Sequence, residues 1–346
     1  VAFVPEWAGL KQLFDRGDLA VVANVGTLLG PTSKADYEIR SNRPPQLFSH
    51  NDQQSLWRSS AREGATTGGG GRLADLLLDD NGDDSVFTCI SVAGNAVMMT
   101  GRDAVQYQVD RRGVTKLVTS GFRSNSVLSG LDEVLRMNAA GPFPTAYGDI
   151  TDRALRSSER LDTAVTGIEL ATEFPDGRLS EQLQMVARLI AAGRNQLGLK
   201  RQVFFVSMGG FDRHSDLVER QPGLLAEIDG ALTAFHAATE ELGASEQVTS
   251  FTASDFGRTL VGNGTGSDHG WGGHHIVMGH AVQGRRIYGT LPIVGDDGPD
   301  DVGRGRMLPT VAVEQYASTL ARWMGATGGE LQSVTPNIGR FATDDL

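Results

Sequence analysis

Asp212 and His214 stand two positions apart, just after the apolar run 203–208 and the pair Gly209-Gly210. Asp255 follows a second such run, QVTSFTAS, and His269 lies in NGTGSDHGWGG just before a third, HHIVMGHAV. Six of the seven histidines fall between 214 and 280. Carboxylate and imidazole together are the donor set of a borderline divalent ion such as zinc. When such groups leave neighbouring strands of an open α/β sheet, they meet in the crevice outside the strand ends. Glycines at 209–210, 270 and 272–273 let backbone crowd close around that crevice. Arg258, in SDFGR, carries a fork that fits phosphate or sulfate, or that pairs with a nearby acid. A structural reading competes at each position. An Asp after two glycines is a common turn residue, and a lone histidine is commonly a satisfied group in a polar network.

The elements that must position these residues read as follows. LKQLFDRG sits in a helix whose Trp7, Leu10, Leu13 and Phe14 share one face, and LAVVANVG at 19–26 is a buried strand. A helix starts near Ser49. GATTGGGGR at 64–72 reads as a flexible loop, followed by the short helix RLADLLLDD. SVFTCISV is strand-like, and NAVMMTGRDAVQYQV reads as a hairpin or lid. Helices are expected at 124–139, 151–172 and 179–198, then a strand at 201–210. A long helix follows at 222–243, with Pro222 in its first turn. Strands are expected at 247–254 and 274–282, and a last helix at 313–326. Strand, helix and strand alternating through 179–282 imply a single α/β domain over 1–346, with a large, mostly parallel sheet between helical layers.

Bulk properties bound the function. The 346 residues carry a net charge of −11, which argues against nucleic acid and anionic membrane as partners. The lone cysteine, Cys89, rules out an internal disulfide. No apolar run reaches the roughly 18 residues of a membrane span. The opening VAFVPEWAGL shows neither a basic n-region nor a cleavage site.

The segments VFFVSMGGFDRHSDL, FTASDFGRTLVGNGTGSDHGWGGHHIVMG and RRIYGTLP resemble the bacterial family called "domain of unknown function 1501". LKQLFDRGDLAVVANVG and QLFSHNDQQSLW are similar to the same family, so the resemblance runs from about residue 5 to 325. It implies the fold of the alkaline phosphatase and sulfatase superfamily, and a periplasmic or exported location, since many members carry a twin-arginine signal. In that superfamily two metals sit at strand ends beside a nucleophile at a helix N-terminus. By position, Asp212 and His214 resemble the pair of one metal, Asp255 an acid of the other, and His269 the late histidine. Ser49, in FSHND, lies where the nucleophile helix would begin, although S-x-x-D before an apolar run is equally a capping box. His50 beside it is a ligand or a substrate contact.

The chain also departs from that pattern. Phe256 stands where the phosphatases carry a histidine after the acid, and VFFVSMGG holds no helper glutamate. Family members normally begin with a strand carrying GGND. This sequence starts after it, and the sheet position so left would be filled by a partner chain. Two functions are therefore expected. The first is a hydrolase of small anionic phosphate or sulfate esters, with one or two divalent metals, zinc foremost, on Asp212, His214 and His269, and Asp255 close by or bridging. The second is a degenerate exported binding or assembly protein of the same fold.

Overall fold

The computed structural model describes residues 2–114, 142–295 and 297–341; the helix expected at 124–139 lies outside them. The described helices are α1 (Ala8–Arg16), α2 (Lys34–Glu38), α3 (His50–Ser59), α4 (Gly69–Asp75), α5 (Leu78–Asn81), α6 (Pro142–Val165), α7 (Arg178–Ala192), α8 (Leu217–Glu241), α9 (Val313–Trp323) and α10 (Leu331–Val334). The strands are β1 (Leu19–Gly26), β2 (Cys89–Ser91), β3 (Tyr107–Gln108), β4 (Val203–Phe205), β5 (Ser250–Phe251), β6 (Arg258–Gly262), β7 (Ser267–His269), β8 (Gly273–Met278), β9 (Ile287–Tyr288) and β10 (Val311–Ala312).

Leu10, Leu13 and Phe14 bury the inner face of α1. The helix stops at Gly17, whose φ of 95° brings its N–H to the carbonyls of Leu13 and Phe14. The chain then enters β1, buried along nearly its whole length. Successive strand side chains point to opposite faces. Leu19 accordingly joins the core formed with α1, α7 and α8, and Val22 the opposite face. An irregularity between Val22 and Val25, with Asn24 at φ 49°, lets Val25 join Val22 against Tyr316 of α9. The central strand is thus covered by helices on both faces, and the molecule is a mixed α/β protein.

Parallel pairings are prominent as expected, but the strands form three sheets rather than one large sheet, and antiparallel pairings are mixed in. β1 pairs in parallel with β10 and β9 but antiparallel with β8, and β8 pairs antiparallel with β5. Strands β3, β2 and β4 form a separate parallel sheet, and β6 and β7 a two-stranded antiparallel one. The reason is the connection. Parallel neighbours need a crossover, usually a helix. Between β5 and β8 the chain makes only the β6–β7 hairpin, so β8 runs back alongside β5. That reversal places the start of β8 where β5 ends. β4 and β5 are the outer strands of their sheets and remain only partly buried.

Three further expectations are corrected. The glycine run is not a plain loop, because Gly69–Asp75 is helical. Its glycines serve close approach: a Cβ on Gly68 would lie 2.3 Å from Met98 Cα, and one on Gly71 would lie 2.0 Å from the Thr100 carbonyl carbon. Residues 95–109 are no hairpin. They form a 3-10 turn and then β3, which lies parallel to β2. Pro222 is inside α8 rather than in its first turn, since the helix already starts at Leu217 and Arg220 N is held by Asp216 O.

Candidate metal centre

Gly210, at φ 101°, turns the chain out of β4 in a conformation that suits glycine and presents Asp212 and His214. The β6–β7 hairpin closes over them. Gly266 makes this possible, because a Cβ there would sit 2.2 Å from the His214 carbonyl carbon. Arg258 and His269 face each other across the open end of the hairpin. Opposite them begins α3, anchored by the buried residues Gln53, Ser55, Leu56 and Ser59. Its first residue is His50. The residue just before the N-cap Ser49, Phe48, adopts φ 78°. Positive φ in a bulky residue is strained, and such strain concentrates at functional sites.

Asp212 is the hub. His269 Nε2 lies 2.9 Å from its Oδ1, His214 Nε2 3.0 Å from the same oxygen, and His50 Nε2 3.1 Å from Oδ2. The two imidazole nitrogens of His214 and His269 are themselves 3.0 Å apart. Every ring points Nε2 inward and offers Nδ1 to an oxygen behind it. His269 Nδ1 donates to the carbonyl of Phe48 at 2.8 Å, which explains the strained turn. His50 Nδ1 donates to Asp255 Oδ2 at 2.9 Å, where Gln54 Nε2 donates as well. His214 Nδ1 faces Asp268 Oδ1 across 3.5 Å, and Asp268 is fixed by Asn263 at 2.6 Å and Arg304 at 2.9 Å.

A carbonyl oxygen can only accept, so His269 Nδ1 carries the proton and Nε2 of the neutral ring is a lone pair. That lone pair faces a carboxylate oxygen and a second imidazole nitrogen. Only an extra proton or a shared cation makes such a meeting favourable. An imidazole held through Nδ1–H by an oxygen, with Nε2 free, is also how metal-bound histidine is oriented. His50, Asp212 and His269 can hold a metal ion, with these ligand atoms all within 4.8 Å of one another. His214 completes the donor set. Tetrahedral zinc with bonds of about 2.1 Å sets ligand atoms about 3.4 Å apart, slightly more than the separations found here.

Electrostatics follow from the same contacts. Burial would raise the Asp212 carboxyl, but Arg258, His50 and His269 outweigh it and hold the group well below the usual carboxylate range. Burial also works to lower His50, yet the hydrogen bonds and charges of Asp255 and Asp212 win and raise it above an ordinary imidazole. Arg258 Nη1 donates to Asp212 Oδ1 at 2.6 Å, Nη2 to the carbonyls of Arg213 and Ser267, and Nε to Ser267 Oγ at 3.3 Å. Its fork is thus spent on the protein.

Asp212, His214, His269, His50 and Arg258 therefore converge, and Asp255 reaches the cluster through His50. Ser49 is the N-cap of α3 and makes no side-chain capping bond, so the capping box does not form. Its neighbours on both sides, Phe48 and His50, touch the cluster. Phe256 stacks on His269 with ring centroids 4.2 Å apart and lies 4.8 Å from His50. Sequence reasoning missed Asp268, Gln54 and the Phe48 carbonyl. The first was legible in the SDH triplet, where an acid precedes the candidate ligand; the others depend on side-chain direction.

A family model described as "Protein of unknown function (DUF1501)" matches residues 151–336. No curated protein and no solved structure matches the chain. The family match covers more than half of the chain and includes Asp212, His214, Asp255 and His269, and the protein belongs to that family.

Proposed function

We propose that the protein is a metal-dependent hydrolase of phosphate or sulfate esters, with His50, Asp212, His214 and His269 holding the ion. The observation that supports this is the set of inward Nε2 atoms around one carboxylate, each imidazole backed by an oxygen at Nδ1. Two or more imidazoles with a carboxylate favour zinc among divalent ions. A zinc ion bound there would supply Lewis acidity and lower the pKa of a hydroxyl or water.

The chain's own residues do the rest. Asp255 and Asp268 fix the rotation of His50 and His214. Arg258 clamps Asp212 in place. Ser49 Oγ, uncommitted to capping and at the positive end of the ten-residue α3, is the nucleophile in this reading. The same helix end favours an anionic ester. The alkaline phosphatase-like arrangement is part of the proposal, supported by the cluster lying where strand exits meet a helix N-terminus. An exported location belongs to it too, carried by the family resemblance alone.

The test is metal content after gentle purification, followed by turnover of aryl phosphates and aryl sulfates. Turnover that disappears in Ser49→Ala and His214→Ala is expected. Metal-loaded protein without turnover would refute hydrolysis and favour the second reading, binding without cleavage. Phe256 favours that reading, because its ring occupies the flank of His269 and His50 where a further ligand would otherwise stand.

A further inference from the structure

His236 is only 2% exposed, and its Nε2 is a buried polar atom with no hydrogen-bond partner. Leaving such an atom unsatisfied is costly, so it calls for an explanation. What surrounds it is a second convergence of donors. Asp18 Oδ2 lies 3.6 Å from His236 Nε2, and Glu240 Oε1 lies 3.8 Å from it. His280 Nε2 is 3.6 Å from Asp18 Oδ1 and 3.2 Å from Glu240 Oε1. These separations are too long for direct hydrogen bonds to His236 but match ligand atoms arranged around a small cation.

We infer that Asp18, His236 and His280 form a second metal site for a zinc-class divalent ion. Their ligand atoms lie within 4.8 Å of one another. Glu240 stands one helical turn from His236 on α8 and faces the same point. Glu246 lies 3.9 Å from His280 Nδ1, on the far side of that ring from Nε2. Arg16 holds Glu240 Oε1 at 2.6 Å and Asp18 Oδ2 at 2.9 Å from the half-exposed side. Glu240 therefore lines the site rather than ligating, and Asp18 Oδ1 is the carboxylate oxygen left to the ion with His236 Nε2 and His280 Nε2. Two imidazoles with carboxylate select a first-row divalent ion over calcium or magnesium, which prefer all-oxygen sites.

The place in the fold assigns the role. Asp18 is the residue before β1, His280 follows β8, and His236 belongs to α8. An ion there ties the α1–β1 turn, the long helix and the β8 exit together. It lies at the opposite end of β8 from His269, about 20 Å away along six residues of strand. Three protein ligands tying separate elements, far from the ester site, make it a structural staple that stabilises the fold on binding.

The probe is zinc ion alone, added to metal-free protein in which His269→Ala has disabled the ester site. We expect this variant to bind about one equivalent of zinc and to melt higher with it. The double variant His269→Ala, His280→Gln is expected to bind none and to show no shift. No zinc bound by the single variant, or equal binding in both, overturns the inference while leaving the proposed hydrolase site untouched. Should the His280 variant fail to fold, Asp18→Asn, which keeps shape and volume, replaces it with the same two outcomes.

Discussion

Replacing His214 by alanine separates a functional cluster from a structural one. The side chain is about half exposed and its Nε2 faces another imidazole nitrogen and a shared carboxylate oxygen. Exposed pairs of this kind contribute about 0–1 kcal/mol, and the lone-pair opposition with His269 subtracts from that. Metal-free protein should therefore melt within about 2 °C of the parent, using about 2 °C per kcal/mol for a chain of this size. Zinc binding is another matter. A site saturated at one hundred times its Kd adds about 2.7 kcal/mol, or about 5 °C. Loss of one of four donors should erase most of that shift. The assay is thermal melting with chelator and then with zinc, in the His280→Gln background so that only the ester site responds. A drop of more than about 5 °C in the metal-free melt would refute the reasoning, because His214 would then be holding the fold. So would a zinc shift left intact.

Three further perturbations test other parts of the argument. Asp255→Asn leaves His50 its hydrogen bond but not its charge, and zinc affinity measured by titration should fall about 10- to 100-fold with the melting temperature nearly unchanged. Burial lowers the His275 imidazole to about 4, so its folded pKa lies below the unfolded value of 6.5. The unfolded state then binds the extra proton, and stability falls as pH drops from 6.5 toward 4, by up to about 3 kcal/mol. Urea unfolding across that range should show the slope, and His275→Gln should flatten it. Gly71→Ala drives a Cβ to 2.0 Å from the Thr100 carbonyl carbon. The loss should be at least about 2 kcal/mol in urea, against no loss for Gly223→Ala in α8, where nothing lies within 4 Å of the added Cβ.

The sequence made some of this legible and hid the rest for definable reasons. α1 and β1 were readable because Leu10, Leu13 and Phe14 follow helical spacing and LAVVANVG is too short and β-branched for a helix. Asp212, His214 and His269 were readable as candidates because they follow or precede apolar runs, where sheet geometry gathers side chains. The antiparallel β8 was hidden because the chain substitutes a hairpin for a crossover helix, and the hairpin's turn signals look like loop. The glycine run was misread because helix propensity disfavours glycine, while contact with 97–101 admits nothing larger. Asp255 is expected close to the metal because its position follows a strand, and it stands beside His50. Which side of His50 it occupies depends on ring rotation, which spacing does not encode. Asp18, His236 and His280 share no motif, and only the turn at Gly17 and the exit of β8 bring them together.

Diffraction from crystals soaked in zinc, with anomalous differences collected at the zinc edge, addresses the central claim most directly. A peak within about 2.0–2.2 Å of Asp212, His214 Nε2 and His269 Nε2 is expected, with His50 turned toward it. A map with no peak there at saturating zinc, and Arg258 alone still seated on Asp212, would contradict it.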